Sequence, residues 1–233
     1  MPYSHSEPFR RLRSVVGPLK GVARATKTAT SRYRQDTNPL REAALSSAVL
    51  LGFAAFEDYV KQGVEEIFRL AQANSVEVRR LPSSVRSHVS ISVHLKRWGA
   101  TEPDRLLDQI ESERVRGGFI ALEDSGLIAS RFSTYLLDGV KYPKPQNLRT
   151  LFKRMGIPNV YARMDAISRT NTSNLLTSFH DVRASLAHQG MQPGWNADDI
   201  ASKLDELMIV ARCVDRVLWT WTCGHLGASC WPR

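Results

Sequence analysis

The sequence predicts an all-α fold: a single helical-bundle domain with a long central core helix and an Arg-to-His helix near its C-terminal end. Three observations predict it. Apolar residues recur at three- and four-residue spacing through most of the chain, and helix-capping residues stand at the junctions. The one stretch that alternates like a strand has no second stretch to pair with, and an isolated strand is not stable. At 233 residues the chain can bury one good-sized core, and 42% apolar with 24% charged residues argues against wholesale disorder. No internal repeat is present.

Residues 1–36 read as a basic N-terminal arm or helix. Phe9 to Arg34 carries eight Lys or Arg and no carboxylate, the local source of much of the formal net charge of +9. Polyanions are the natural partners of such a stretch, through salt-dependent attraction to a phosphate backbone; a plain solvated basic arm has the same composition. Leu12, Val15, Val16, Leu19, Val22 and Ala23 share one helical face, which Gly17 and Pro18 are expected to kink or end. With no bulky aromatic anchor beyond Phe9 and no long apolar run after it, neither a signal peptide nor a membrane anchor is expected, and the helix should dock on the body.

Residues 37–222 read as the helical domain, and 223–233 as a tail. Asn38 and Pro39 make a helix start, with an N-cap oxygen followed by proline at the first helical position. This helix should run to about Ala73. Ala43 to Phe56 holds no charge over 14 residues, bounded by Arg41 and Glu42 before and Glu57 and Asp58 after. That is too short to span a bilayer, so it reads as the central core helix. Val85 to Trp98, the alternating stretch, is read as a helix capped by Ser83 or Ser84. Thr101 to Asp104 resembles a capping box opening a polar helix that ends before Gly117 and Gly118. A further helix is expected over Leu127–Leu137, and Tyr142 to Pro145 should form a stiff connector into another at Leu148.

The stretch Asn174–Gly190, NLLTSFHDVRASLAHQG, reads as a helix capped by Asn171, Thr172 or Ser173 and ended by Gly190 and Pro193. Its apolar face is Leu175, Leu176, Phe179, Val182 and Leu186. His180, Asp181, Arg183, Ser185 and His188 crowd its remaining sides. At about 100° per residue, Arg183 and His188 lie roughly 140° apart, so one regular helix aims them at different places. Either the helix unwinds near Gly190, or a second copy of the chain supplies the complementary group across a two-fold interface; the dimer is the expected solution. The closing helix should begin at Asn196 with Asp198 and Asp199 at its N-terminal dipole, and Trp219 and Trp221 should be core or dimer-contact anchors.

Val182–Gly190, VRASLAHQG, resembles the signature of the HEPN family: an arginine, four to six residues, a histidine, and a nearby glycine. Leu45–Phe68 resembles that family's long first core helix, with Glu57 following an aromatic residue. Leu148–Pro158, LRTLFKRMGIP, is similar to the short helix and turn before the Arg-to-His helix in the RiboL-PSP-HEPN type, and Asn196–Leu218 to its closing helix. The resemblance implies metal-independent RNase activity from Arg183 and His188 of two protomers, in a toxin or defence setting with an antitoxin or defence-system partner. It also implies that Glu57 turns inward, where it could orient Arg183 or raise the His188 pKa; on spacing alone Glu57 is a surface partner of Lys61. Catalytic members commonly carry a polar residue directly after the arginine. Here that position is Ala184, and Asp181 is the nearest polarity on the other side.

The pair suits transesterification at an RNA phosphodiester. An imidazole with an ordinary pKa near 6.5 exchanges the 2′-hydroxyl or leaving-group proton, while a guanidinium holds the phosphorane charge. The expected product is a 2′,3′-cyclic phosphate, and DNA should resist. Asp181, Ser185 and His188 share one side of the helix and could relay a proton. The same residues also have a plain reading: His188 against the helix C-terminal dipole, and Arg183 as a surface partner of Asp181. Accordingly the alternative function is a catalytically inactive HEPN-like module that binds RNA or a protein.

No cofactor and no metal are expected. Three cysteines, all after residue 212, point to free thiols in a reducing, cytoplasmic compartment. Cys223, His225 and Cys230 lack a fourth zinc ligand at suitable spacing. The chain contains no Gly-rich phosphate loop and no nucleophile elbow.

Overall fold

The computed structural model describes residues 2–29, 38–98, 126–139, 144–189 and 196–233; at 27–29, 38, 93–98 and 187–189 it describes the backbone alone. The described residues form eight α-helices and no strand: α1 (Glu7–Ala29), α2 (Asn38–Ala73), α3 (Ser83–Trp98), α4 (Phe132–Leu137), α5 (Pro145–Arg154), α6 (Val160–Ser168), α7 (Thr172–Gln189) and α8 (Ala197–His225). Short 3-10 turns lie at Val78–Arg80 and Ala228–Cys230. The fold is all-α, and the long uncharged stretch forms its core helix.

Helix α2 buries Leu45, Val49, Phe56, Val60, Val64, Ile67 and Phe68 completely or nearly so. Each such side chain contributes about 1.5–3 kcal/mol through lost water contact. Gly52 marks the point where α2, α7 and α8 come together: a Cβ there would lie 2.6 Å from Leu204 Cδ2 and 3.9 Å from the Phe179 ring. Only a residue without a side chain allows that approach, and it brings the neighbouring Phe53 against α7. By length and composition Pro39–Ala73 could also cross a membrane, but 44% of its most apolar window is buried inside the fold.

Helix α1 packs along both α2 and α8 and buries Phe9, Leu12, Val16 and Ala23. It runs antiparallel to α2: Glu7, Pro8 and Arg11 share one groove with Gln62, Glu65 and Glu66, and the groove that reaches forward to Val15 reaches back to Ala55. The helix does not end at Pro18: α1 continues through it to Ala29. Proline there removes one backbone hydrogen bond, and the preceding residue is normally pushed out of helical geometry by its Cβ. Gly17 has no Cβ, and the burial of Val16 and Ala23 on either side holds the helix together.

Both ends of the chain are tied to α8. The Asp215 side chain is fully buried and accepts hydrogen bonds from Tyr3 Oη (2.7 Å), Ser6 N (3.2 Å) and Ser6 Oγ. Ser6 Oγ in turn accepts from Phe9 N, capping α1. Residues 223–233, set apart in the sequence as a tail, are packed: α8 continues to His225, and Cys230 and Trp231 are buried. Trp231 Nε1 donates to Ser4 O at 2.9 Å, and Glu7 N donates to Pro232 O at 3.1 Å.

The alternating stretch is helical, as α3. The helix expected over Leu127–Leu137 is shortened to α4, because Val78 N donates to Gly126 O and Ile128 N to Val76 O, drawing Leu127 into an isolated antiparallel bridge with Glu77. The expected helix from Thr101 to Gly117 lies outside the described residues, as do Gly190 and Pro193.

Candidate active site

Helix α7 carries the candidate residues, and its start is fixed by α6. Arg169 ends α6 in left-handed conformation, φ 59°. Asp165 then reaches forward: its Oδ1 accepts from Thr172 N at 2.8 Å and from Thr172 Oγ1 at 2.6 Å, with Thr172 wholly buried. Asn171 is the N-cap, its Oδ1 accepting from Asn174 N at 2.9 Å. Leu176, Phe179 and Val182 anchor the helix in the core. Its rotation about its own axis is therefore set before the polar residues are reached.

One edge of α7 meets α2 at Phe53. The Arg183 guanidinium lies over the Phe53 ring, 5.2 Å from its centroid. Phe179 stacks on the same ring at 5.9 Å and 7°, and His180 at 6.0 Å and 30°. His180 is half-buried, and its Nδ1 is sealed without a hydrogen-bond partner. Burial holds the His180 pKa below the usual histidine value; the positive charges of Lys144 and Arg183 act in the same direction and Asp181 opposes them. The imidazole therefore favours its neutral form at pH 7.

The opposite edge of α7 faces α8. Asp181 and Ser185 line a groove of about 470 Å³ together with Asn174, Thr177, Ser178 and Lys203. Lys203 Nζ spans it, donating to Ser178 Oγ at 2.8 Å and to Glu206 Oε2 at 2.7 Å. Position 188 is still helical, and its register places it on the Asp181 and Ser185 side, about 140° from Arg183. The His188 side chain lies outside the described residues. Within one chain the structure thus separates Arg183 from Asp181 and Ser185.

Glu57 is exposed one turn beyond Phe53 and makes no ion pair with Arg183. An aromatic ring, not a carboxylate, orients the arginine. Ala184 is half-buried between the two edges. The sequence shows His180 among the polar residues of this helix but gives it no role, and it does not mark Lys144. The i, i+3 spacing of His180 and Arg183 was the available signal, whereas the approach of Lys144, at the start of α5, depends on tertiary packing.

The basic charge of α1 is partly compensated. Arg10 and Arg11 clamp Glu7 at 3.0 and 3.1 Å, and Lys20 pairs with Asp205 on α8. Arg13 and Arg24 remain exposed on α1. Among the described residues no group of three or more His, Cys, Asp or Glu is placed to hold a metal ion. Cys213, Cys223 and Cys230 are free thiols, with Cys230 Sγ directed to Leu226 O.

Comparison by family, by curated sequence and by solved structure gives no match for this chain.

Proposed function

We propose that the chain is a metal-independent endoribonuclease of the HEPN type that acts as a homodimer. The observation that carries this reading is the contact of Arg183 with Phe53, beside a strip of exposed leucines on α2. Leu40, Leu50 and Leu51 are exposed along that strip at 76%, 39% and 54%, with Leu50 one turn before Phe53. A second copy laid on the strip would bring its own Arg-to-His helix towards Arg183, which overcomes the separation within one chain. Arg183 holds the non-bridging oxygens of the scissile phosphate and stabilises their charge in the transition state. His188 exchanges protons with the reacting oxygens. The 2′-oxygen attacks phosphorus, the 5′-oxygen leaves, and the products are a 2′,3′-cyclic phosphate and a 5′-hydroxyl. A toxin or defence role, in the cytoplasm and restrained by a partner protein, belongs to the same proposal.

The test is cleavage of a mixed RNA pool in EDTA by the wild type, His188→Ala and Arg183→Ala. Cutting by the wild type alone, with cyclic phosphate ends and no cutting of DNA, is the expected result. Intact RNA after incubation with folded, dimeric wild type sinks the reading. A second reading, an inactive module that binds RNA or a protein, is favoured by the same Arg183 contact. A guanidinium resting on Phe53 beside Ala184 is already a complete structural interaction. Under that reading RNA is retained but not cut.

A further inference from the structure

We propose that His180 is the general base of the reaction, taking the 2′-hydroxyl proton beside Arg183 in the same protomer. The inference rests on the ribonuclease reading and assigns a residue to its missing half-site. His180 and Arg183 are three residues apart on one helix, so their side chains leave α7 in nearly the same direction. Both rest on one platform: the guanidinium lies 5.2 Å and the imidazole 6.0 Å from the Phe53 centroid. Phe53 is itself fixed by Phe179 stacking at 5.9 Å. An arginine whose Cζ lies over a ring can still turn N–H groups to phosphate oxygens. A phosphodiester held there lies within reach of the imidazole edge. Nδ1 is sealed, which leaves Nε2 as the nitrogen that can meet a substrate, and acceptance of a proton there requires the tautomer with its hydrogen on Nδ1.

The surroundings suit a base better than an acid. Burial, Lys144 and Arg183 all favour neutral His180, and Asp181 opposes them only in part. The same positive charges would attract the phosphate. In the step itself Nε2 accepts the 2′-hydroxyl proton and the 2′-oxygen forms its bond to phosphorus. The bond from phosphorus to the 5′-oxygen breaks, and that oxygen departs with a proton. His188 is then left the acid role, supplying that proton. Dividing base and acid between two titratable groups is the common arrangement in such a site.

The experiment compares wild type, His180→Ala, His180→Phe and His188→Ala on an RNA dinucleotide and on a p-nitrophenyl ester of uridine 3′-phosphate. The nitrophenolate leaves without a proton, so that substrate needs a base but no acid. His180→Phe keeps an aromatic ring on Phe53 and serves as the packing control. Both His180 variants should lose about 10²- to 10⁴-fold in kcat on both substrates. His188→Ala should lose as much on the dinucleotide alone, and added imidazole should restore part of the rate to His180→Ala. A folded His180→Phe that cuts both substrates within about twofold of wild type overturns the assignment while leaving the ribonuclease reading intact. A wild type that cuts neither substrate overturns both.

Discussion

Asp215 has no contact with water, and its carboxylate exists in the fold because donors from the N-terminal segment meet it there. Tyr3 and Tyr59, pushed well above the usual tyrosine pKa by burial and by that carboxylate, remain protonated and able to donate. Asp215→Ala strands the Ser6 N and Ser6 Oγ donors and leaves Tyr3 Oη with His5 Nδ1 alone, and the expected cost is about 3 kcal/mol or more. Asp215→Asn keeps an acceptor in place and should cost less. Urea unfolding checks both, and a shift under about 0.5 kcal/mol for Asp215→Ala contradicts the role. Arg183 separates function from stability in the opposite sense. Arg183→Lys keeps the charge but loses the planar fork and its stacking on Phe53, so RNA cleavage should fall about 10²-fold or more. Stability should change by less than about 1 kcal/mol, the scale of one half-buried cation–π contact. Spacing marked Arg183 in the sequence. Nothing local marks Asp215, which sits in an ordinary helical pattern and acquires its partners from residues more than two hundred positions away.

At the scale of elements, legibility follows how local the cause is. The start of α2 at Asn38 and the cap of α8 follow from adjacent residues: proline at the second position of α2, and Asn196, whose Oδ1 accepts from Asp198 N and Asp199 N while Asp199 Oδ2 accepts from Asn196 N. Helix α4 was misjudged because the bridge between Leu127 and Glu77 competes for its first turn across fifty residues. Helix α1 outruns the end expected at Pro18 because packing on α2 and α8 outweighs a proline. That conflict predicts a measurable gain. Pro18 is exposed, so Pro18→Ala removes no burial and restores one backbone hydrogen bond. The expected stabilisation is about 1–3 kcal/mol, reduced by the entropy that proline removes from the unfolded chain. A urea midpoint unchanged or lowered would mean that α1 contributes little to global stability. The candidate site divides in the same way. Its helix and its arginine were legible, whereas Phe53 as platform and Lys144 as neighbour come from elements distant in sequence.

Over the whole molecule, His88, His180 and His225 each have a pKa held below 6.5 chiefly by burial. The unfolded chain takes up those protons first as pH falls. Stability is therefore flat above about pH 7.5 and declines from about 6.5 downward until the folded state also protonates. The arginine-paired Glu7 and Glu66 titrate below the ordinary glutamate value, so their loss belongs to a separate, more acidic window. Urea midpoints at pH 7.5 and 5.5 test the sign, and His225→Gln should flatten the slope. The exposed strip on α2 makes a further prediction at this scale. Leu51 is 54% exposed, and Val15 and Val22 on the adjoining α1 are exposed at 43% and 45%. These residues widen the apolar surface on the α1 flank of α2, away from Phe53 and Arg183. A charge placed there costs the isolated fold little, because the side chain already meets water, but it is costly once a second copy covers it. Leu51→Glu should leave the far-ultraviolet circular dichroism unchanged, shift sedimentation from dimer to monomer, and reduce RNA cleavage in proportion to the monomer formed. Activity retained by a monomeric Leu51→Glu chain would show that one protomer holds the complete catalytic set, and the pairing of His180 with Arg183 would then have to act without His188 from a second copy.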